Sequence, residues 1–245
     1  MANKNYDEYP EDMPMQMPML LPQNDFITRS RIIYFSSDFT DQAARYVIER
    51  LLVLNAESTM DDIILIIDSQ GGSISAYLAI YDAMTKLIHC DVSTVCLGQA
   101  MSAGQMLLMS GTKGKRFITE NSQVMVHQVS SGTVGKLSDM EKHVNYVQEL
   151  DKTMKKLILK HTKINKKELD VMMRKDTFLS AEQALKCGIV DYVIRKPDDL
   201  YNRISSKNLK VRNAIDKMAS DSKIKTLDLV KPTPKKEKAV SKTDT

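Results

Sequence analysis

Ile63-Ile64-Leu65-Ile66-Ile67-Asp68-Ser69-Gln70-Gly71-Gly72-Ser73 is the stretch on which the fold class turns. Five aliphatic side chains in unbroken succession, with no alternation, predict a strand buried on both faces. A polar turn follows, and its paired glycines open backbone angles closed to other residues. From Ser73 to about residue 87 the spacing is helical. Buried strand, tight turn and helix together make one step of a parallel α/β sheet.

The same alternation extends to both sides. Residues 32–35 read as a strand, and Thr40 or Asp41 can cap a helix to about residue 54, with Ala44, Val47, Leu51 and Leu52 on one face. Residues 92–96 form the next buried strand, and Gly98 to Met101 lead into a helix beginning at Ser102. Residues 124–126 are a third inner strand ending at His127. A long helix is expected over 136–161, with Met140, His143, Val144, Val147, Leu150, Met154 and Leu157 at helical spacing. Shorter helices are expected over 166–173 and 181–186, then Gly188 as a stop and a last strand over 190–194.

The 245 residues carry a formal net charge of only +4, and Lys231, Lys235, Lys236, Lys238 and Lys242 gather much of the excess in the last segment. With 6% aromatic residues and no Trp, a nucleic-acid interface is disfavoured. No apolar stretch reaches the roughly 18 residues of a membrane span. Cys90, Cys96 and Cys187 show neither an even count nor ligand spacing, which points to a reducing compartment without disulfides or zinc. The acidic, polar start is unlike a secretion signal, and a cytoplasmic protein is expected. The expected organisation is a flexible Met/Pro-rich arm over 1–25, one domain over 26–198, and an extension over 199–245 ending in the lysine-rich tail. The arm's Met15, Met17, Met19, Leu20 and Leu21 suit packing against the fold or a neighbouring subunit, or a docking role.

Hydrolysis by a serine needs a base for its proton, a third group fixing that base, and backbone donors for the oxyanion. Ser102 stands in Gly98-Gln99-Ala100-Met101-Ser102-Ala103-Gly104, a strand-to-helix turn of small residues. It half matches the Gly-x-Ser-x-Gly elbow, because Ala100 replaces the first glycine. A serine here also suits a helix N-cap. His127 ends a central strand, a place where many histidines serve only packing. Asp176 lies in a short link between helices, where an aspartate also suits a turn. Gly72 and Ala103 can offer amides to an oxyanion, although paired glycines also make ordinary turns.

The ordered set of segments resembles the proteolytic subunit of the Clp proteases, the ClpP family. Asp68-Ser69-Gln70-Gly71-Gly72-Ser73-Ile74, Ile80-Tyr81-Asp82-Ala83-Met84, Gly98 to Gly104 with the preceding strand, Gly111-Thr112-Lys113-Gly114-Lys115-Arg116-Phe117, Val124-Met125-Val126-His127-Gln128 and Phe178-Leu179-Ser180-Ala181-Glu182-Gln183-Ala184 carry it, over roughly residues 26–196. The resemblance implies a crotonase-like spiral of β-α-β units assembled as stacked heptameric rings. It places Ser102, His127 and Asp176 on a serine-endopeptidase triad and the Gly72 and Ala103 amides at the oxyanion hole. It further implies unfolded polypeptide substrates, an AAA+ ATPase partner, and no cofactor or metal. The segment 130–136 and the helix after it would contact the second ring.

The chain departs from the family pattern at several places. Gln70 replaces the usual proline, residues 82–91 are one residue longer, and Arg174 and Lys175 replace an acidic residue and an arginine. Ile64 and Ile66 stand where the docking strand often has tyrosines, which keeps open a peptidase working without an ATPase, as in capsid maturation. A catalytically silent ring subunit is a further reading, and so is acyl-CoA chemistry on a crotonase-like fold. The last leaves Ser102, His127 and Asp176 unexplained.

Overall fold

A computed structural model describes residues 31–204, so the expected arm over 1–25 and the lysine-rich tail lie outside the described residues. The elements in order are β1 (Ile32–Phe35), α1 (Asp41–Glu57), β2 (Ile63–Ser69), α2 (Ile74–Asp82), a π-helical turn (Ala83–Leu87), β3 (Val92–Met101), α3 (Ala103–Met109), β4 (Arg116–Thr119) and β5 (Gln123–Val126). Then come α4 (Leu137–His161), α5 (Lys166–Met173), β6 (Thr177–Ser180), α6 (Ala181–Lys186), β7 (Tyr192–Ile194) and α7 (Asp198–Tyr201). The fold is α/β, with a mostly parallel sheet in the order β1-β2-β3-β4-β7.

Alternate residues of each strand serve two layers, as the pleat requires. Ile63, Leu65 and Ile67 point into the main core with Val47, Leu51, Tyr77, Ile80, Leu107 and Leu108, where α1, α2 and α3 cover the sheet. Ile64 points the other way, into a smaller cluster with Val95, Phe117 and Ile204. Ile66, Tyr192 and Leu200 pack against that cluster, so α7 and the residues after it roof the second face. No helix among the described residues is long and apolar enough to cross a membrane.

Strand β3 is longer than the sequence suggests, and it forks. Thr94, Val95 and Cys96 pair with β4, whereas Gln99, Ala100 and Met101 pair with β5. Between them Gly98 adopts φ +88. Its amide donates to Ser122 Oγ at 2.8 Å, so a side-chain hydroxyl replaces a ladder bond where the strand bends. β5 then recruits β6 in antiparallel fashion, with Val126 opposite Thr177 and Val124 opposite Leu179.

Two strands, β4 and β6, go beyond the expected elements, and β6 lies in the link expected between two helices. Both are only four residues long; β4 has just two apolar residues, Phe117 and Ile118, and Phe178 of β6 is left 59% exposed by this chain, so neither carries a long apolar run. The last strand begins at Tyr192, two residues later than expected, because Ile189 and Val190 fill the core from a turn. The stretch over 82–91 contains the π-helical turn, which continues α2 directly with a wider winding.

Candidate functional site

Strand register brings Ser102, His127 and Asp176 together. Met101 of β3 pairs with Met125 of β5, and the Ser102 amide donates to the Met125 carbonyl at 3.1 Å. Ser102 and His127 therefore leave the carboxyl ends of neighbouring parallel strands, where α/β folds gather their sites. Since Val126 faces Thr177 across the antiparallel pair, the next residue of β5 faces the preceding residue of β6: His127 meets Asp176.

The Ser102 Oγ lies 2.7 Å from His127 Nε2. On the other side of the ring, His127 Nδ1 is 3.5 Å from Asp176 Oδ1. That contact is long for a charge-assisted hydrogen bond, and the Asp176 side chain is 63% exposed against 24% for His127.

Ser102 occupies the N-cap position of α3, yet its side chain makes no capping bond. Its backbone lies at φ 54 and ψ −118, the only positive φ of a non-glycine residue among the described residues. Such conformations cost about 1–3 kcal/mol and persist where surrounding structure enforces them. Here the hydroxyl is turned from the helix amides toward the imidazole, so the cap alternative fails on geometry.

The glycine turn presses against this serine. A Cβ on Gly71 would fall 2.7 Å from Ser102 Cβ. At Gly72, with φ +134, it would fall 2.7 Å from both the amide nitrogen and the carbonyl oxygen of Phe39. Gly72 and Phe39 form a parallel bridge whose hydrogen bonds run from Phe39 N to the Gly71 carbonyl at 2.7 Å and from Ser73 N to the Phe39 carbonyl at 2.8 Å. The bridge does not use the Gly72 N–H. Ala103 is the first residue of α3, and its N–H has no acceptor within the helix. Gly72, Ser102, Ala103 and His127 line a common pocket.

That pocket, of about 80 Å³, extends to the side of Ser102, where Met106, Met154, Ile158 and Met173 wall it. Sequence reading placed Met154 on a helical stripe but saw no role for Gln105, Met106 or Met173. These walls come from three separate helices, α3, α4 and α5, and no local spacing announces such a meeting. The remaining histidines stand apart. His143 Nε2 lies 2.9 Å from Ser131 Oγ, and His161 Nε2 lies 3.1 Å from the Tyr81 hydroxyl, which burial accompanies with a lowered imidazole pKa, helped by the Lys160 and Arg116 charges. No group of three or more His, Cys, Asp or Glu side chains among the described residues could hold a metal.

A family model described as Clp protease matches residues 22–197. The chain belongs to the Clp protease family. The match spans most of the chain, and the described Clp protease fold carries the segments on which the resemblance was drawn. Membership makes this a ClpP-type peptidase of the α/β class.

Proposed function

We propose that this protein is a serine endopeptidase of the Clp type, with Ser102 as nucleophile, His127 as general base and Asp176 orienting the imidazole. The 2.7 Å approach of Ser102 Oγ to His127 Nε2, across a strained backbone that makes no helix cap, is the observation that carries this reading. Ser102 Oγ attacks the substrate carbonyl carbon while His127 Nε2 takes the hydroxyl proton. The oxyanion is met by the Gly72 and Ala103 amides. As the C–N bond breaks, His127 returns the proton to the leaving amine, and an acyl ester remains on Ser102. Water attacks that ester, again through His127, and the carboxylate product leaves. This reaction requires neither metal nor organic cofactor.

Assembly belongs to the same proposal. Helix α4 buries only Met154 and Ile158 of its 25 residues, while Leu137, Met140 and Val144 stand exposed at helical spacing beyond an equally exposed Val134. An unpartnered apolar stripe of this kind calls for a second copy. It supports stacked rings, heptameric by family resemblance, enclosing the sites in a chamber fed with unfolded polypeptide. An AAA+ ATPase would do the feeding. One feature favours the ATPase-free alternative: Ile64, on the docking strand, is only 2% exposed because Ile204 and Leu200 pack over that face.

Labelling with a fluorophosphonate probe tests the chemistry. Wild-type protein should label and Ser102→Ala should not. Assembled wild-type protein that fails to label, or labelling that survives the substitution, overturns the assignment.

A further inference from the structure

The side pocket beside Ser102 is apolar on its walls but not throughout. Gln105 lines it and is only 1% exposed, yet its amide is poorly satisfied. Its Nε2 donates to the Met109 thioether at 3.3 Å, and sulfur is a weak acceptor. No described donor reaches its Oε1. Among the described residues, the side-chain polar atoms sealed from solvent without a partner are Ser93 Oγ and Asp151 Oδ1. The Gln105 carbonyl is not one of them, so it is not sealed by protein on every side, and Gln105 lines this pocket. Burying an amide without full hydrogen bonding is costly, and an apolar residue would have filled this place without that cost.

We propose that Gln105 is a specificity residue: its Oε1 accepts a hydrogen bond from the substrate side chain that enters this pocket, the one preceding the cleaved bond. This rests on the peptidase reading. The favoured side chain has an apolar stem to lie along Met106, Met154 and Met173 and ends in a neutral N–H donor, which describes glutamine. Methionine has the same length and matches the walls but brings no donor, and glutamate presents a carboxylate to a carbonyl oxygen. A pocket with a buried, unpaired acceptor discriminates by what the wrong ligand leaves unbonded. The thioether walls adjust to either stem.

The test uses three fluorogenic peptides that differ only at that position, carrying glutamine, methionine or glutamate, on the full-length chain. Wild-type protein should prefer glutamine to methionine in kcat/KM by about tenfold, the worth of one hydrogen bond, and should reject glutamate. Gln105→Met keeps the volume while removing the acceptor, and should abolish or invert the glutamine preference. Gln105→Leu repeats the test with another apolar shape. A glutamine-to-methionine ratio that is near one in wild type, or that changes less than about twofold in both variants while fluorophosphonate labelling persists, refutes the role of Gln105 alone. Wild-type protein that neither labels nor cleaves refutes the peptidase reading, and this inference with it.

Discussion

Replacing Asp176 by asparagine or alanine measures how firmly His127 is held. In a buried triad the carboxylate fixes the imidazole tautomer, and its loss is severe. Here the geometry is looser: Asp176 Oδ1 stands 3.5 Å from His127 Nδ1, and its side chain is 63% exposed. Water competes for both groups, and exposed pairs of this kind are worth about 0.2–1 kcal/mol. Carried into the transition state, that range corresponds to a loss of no more than about tenfold in kcat/KM. Ser102→Ala should instead remove turnover altogether. The assay is hydrolysis of a short fluorogenic peptide, with probe labelling to count intact sites. A loss of about a thousandfold or more in Asp176→Asn would refute the reasoning, because it would mean that the contact closes to a short, shielded bond during turnover.

Three further outcomes follow from packing and charge. Gly72→Ala places a Cβ 2.7 Å from the Phe39 backbone at φ +134, so the unfolding free energy should fall by about 1–3 kcal/mol, with hydrolysis reduced more than the fraction folded; an unchanged urea midpoint contradicts this. Asp191 accepts from Arg116 Nη2 at 2.7 Å and Nε at 2.9 Å; burial pushes its carboxyl up, but Arg116 and the Gly114 and Arg116 amides outweigh it and hold the pKa below the ordinary value. A depressed pKa stabilises fully above the unfolded value of about 3.9 and loses that stabilisation as pH falls through the lower folded value. Asp191→Asn should therefore cost about 3 kcal/mol near neutral pH, by leaving a buried guanidinium unpaired, and less in acid; equal urea midpoints for parent and variant at neutral pH would rule it out. Replacing Leu137, Met140 and Val144 together by serine should shrink the particle in sedimentation while leaving the melting temperature of the subunit close to the parent's, and an undiminished particle would remove α4 from the contact.

How much could be read in advance depended on how local each signal was. β2 was legible because Ile63 to Ile67 are apolar on both faces, with only Ile66 partly exposed, leaving no alternation to misread. α4 was legible over nearly its full length, since a long periodic stripe outweighs local breakers. β6 was not, because its place depends on pairing with β5, and its exposed Phe178 and Ser180 look like a link. Ser102, His127 and Asp176 could be named from sequence, but their meeting depends on two registers across 25 and 49 residues of chain that spacing alone does not fix. The strain at Ser102 was only half legible: small neighbours signal a tight turn, but not its sign. Gln105 left no signal, since a glutamine in a first helical turn ordinarily faces water.

The bend of β3 at Gly98 has an engineering consequence. Up to Cys96 the strand answers to β4 and the roofed face; from Gln99 it answers to β5 and delivers Ser102. Gly98, pinned by Ser122, divides one strand into two halves with different partners. Side chains such as Ile64, Val95 and Phe117 can be redesigned to change how that face packs, while Ser102 keeps its own contacts with Met125 and His127.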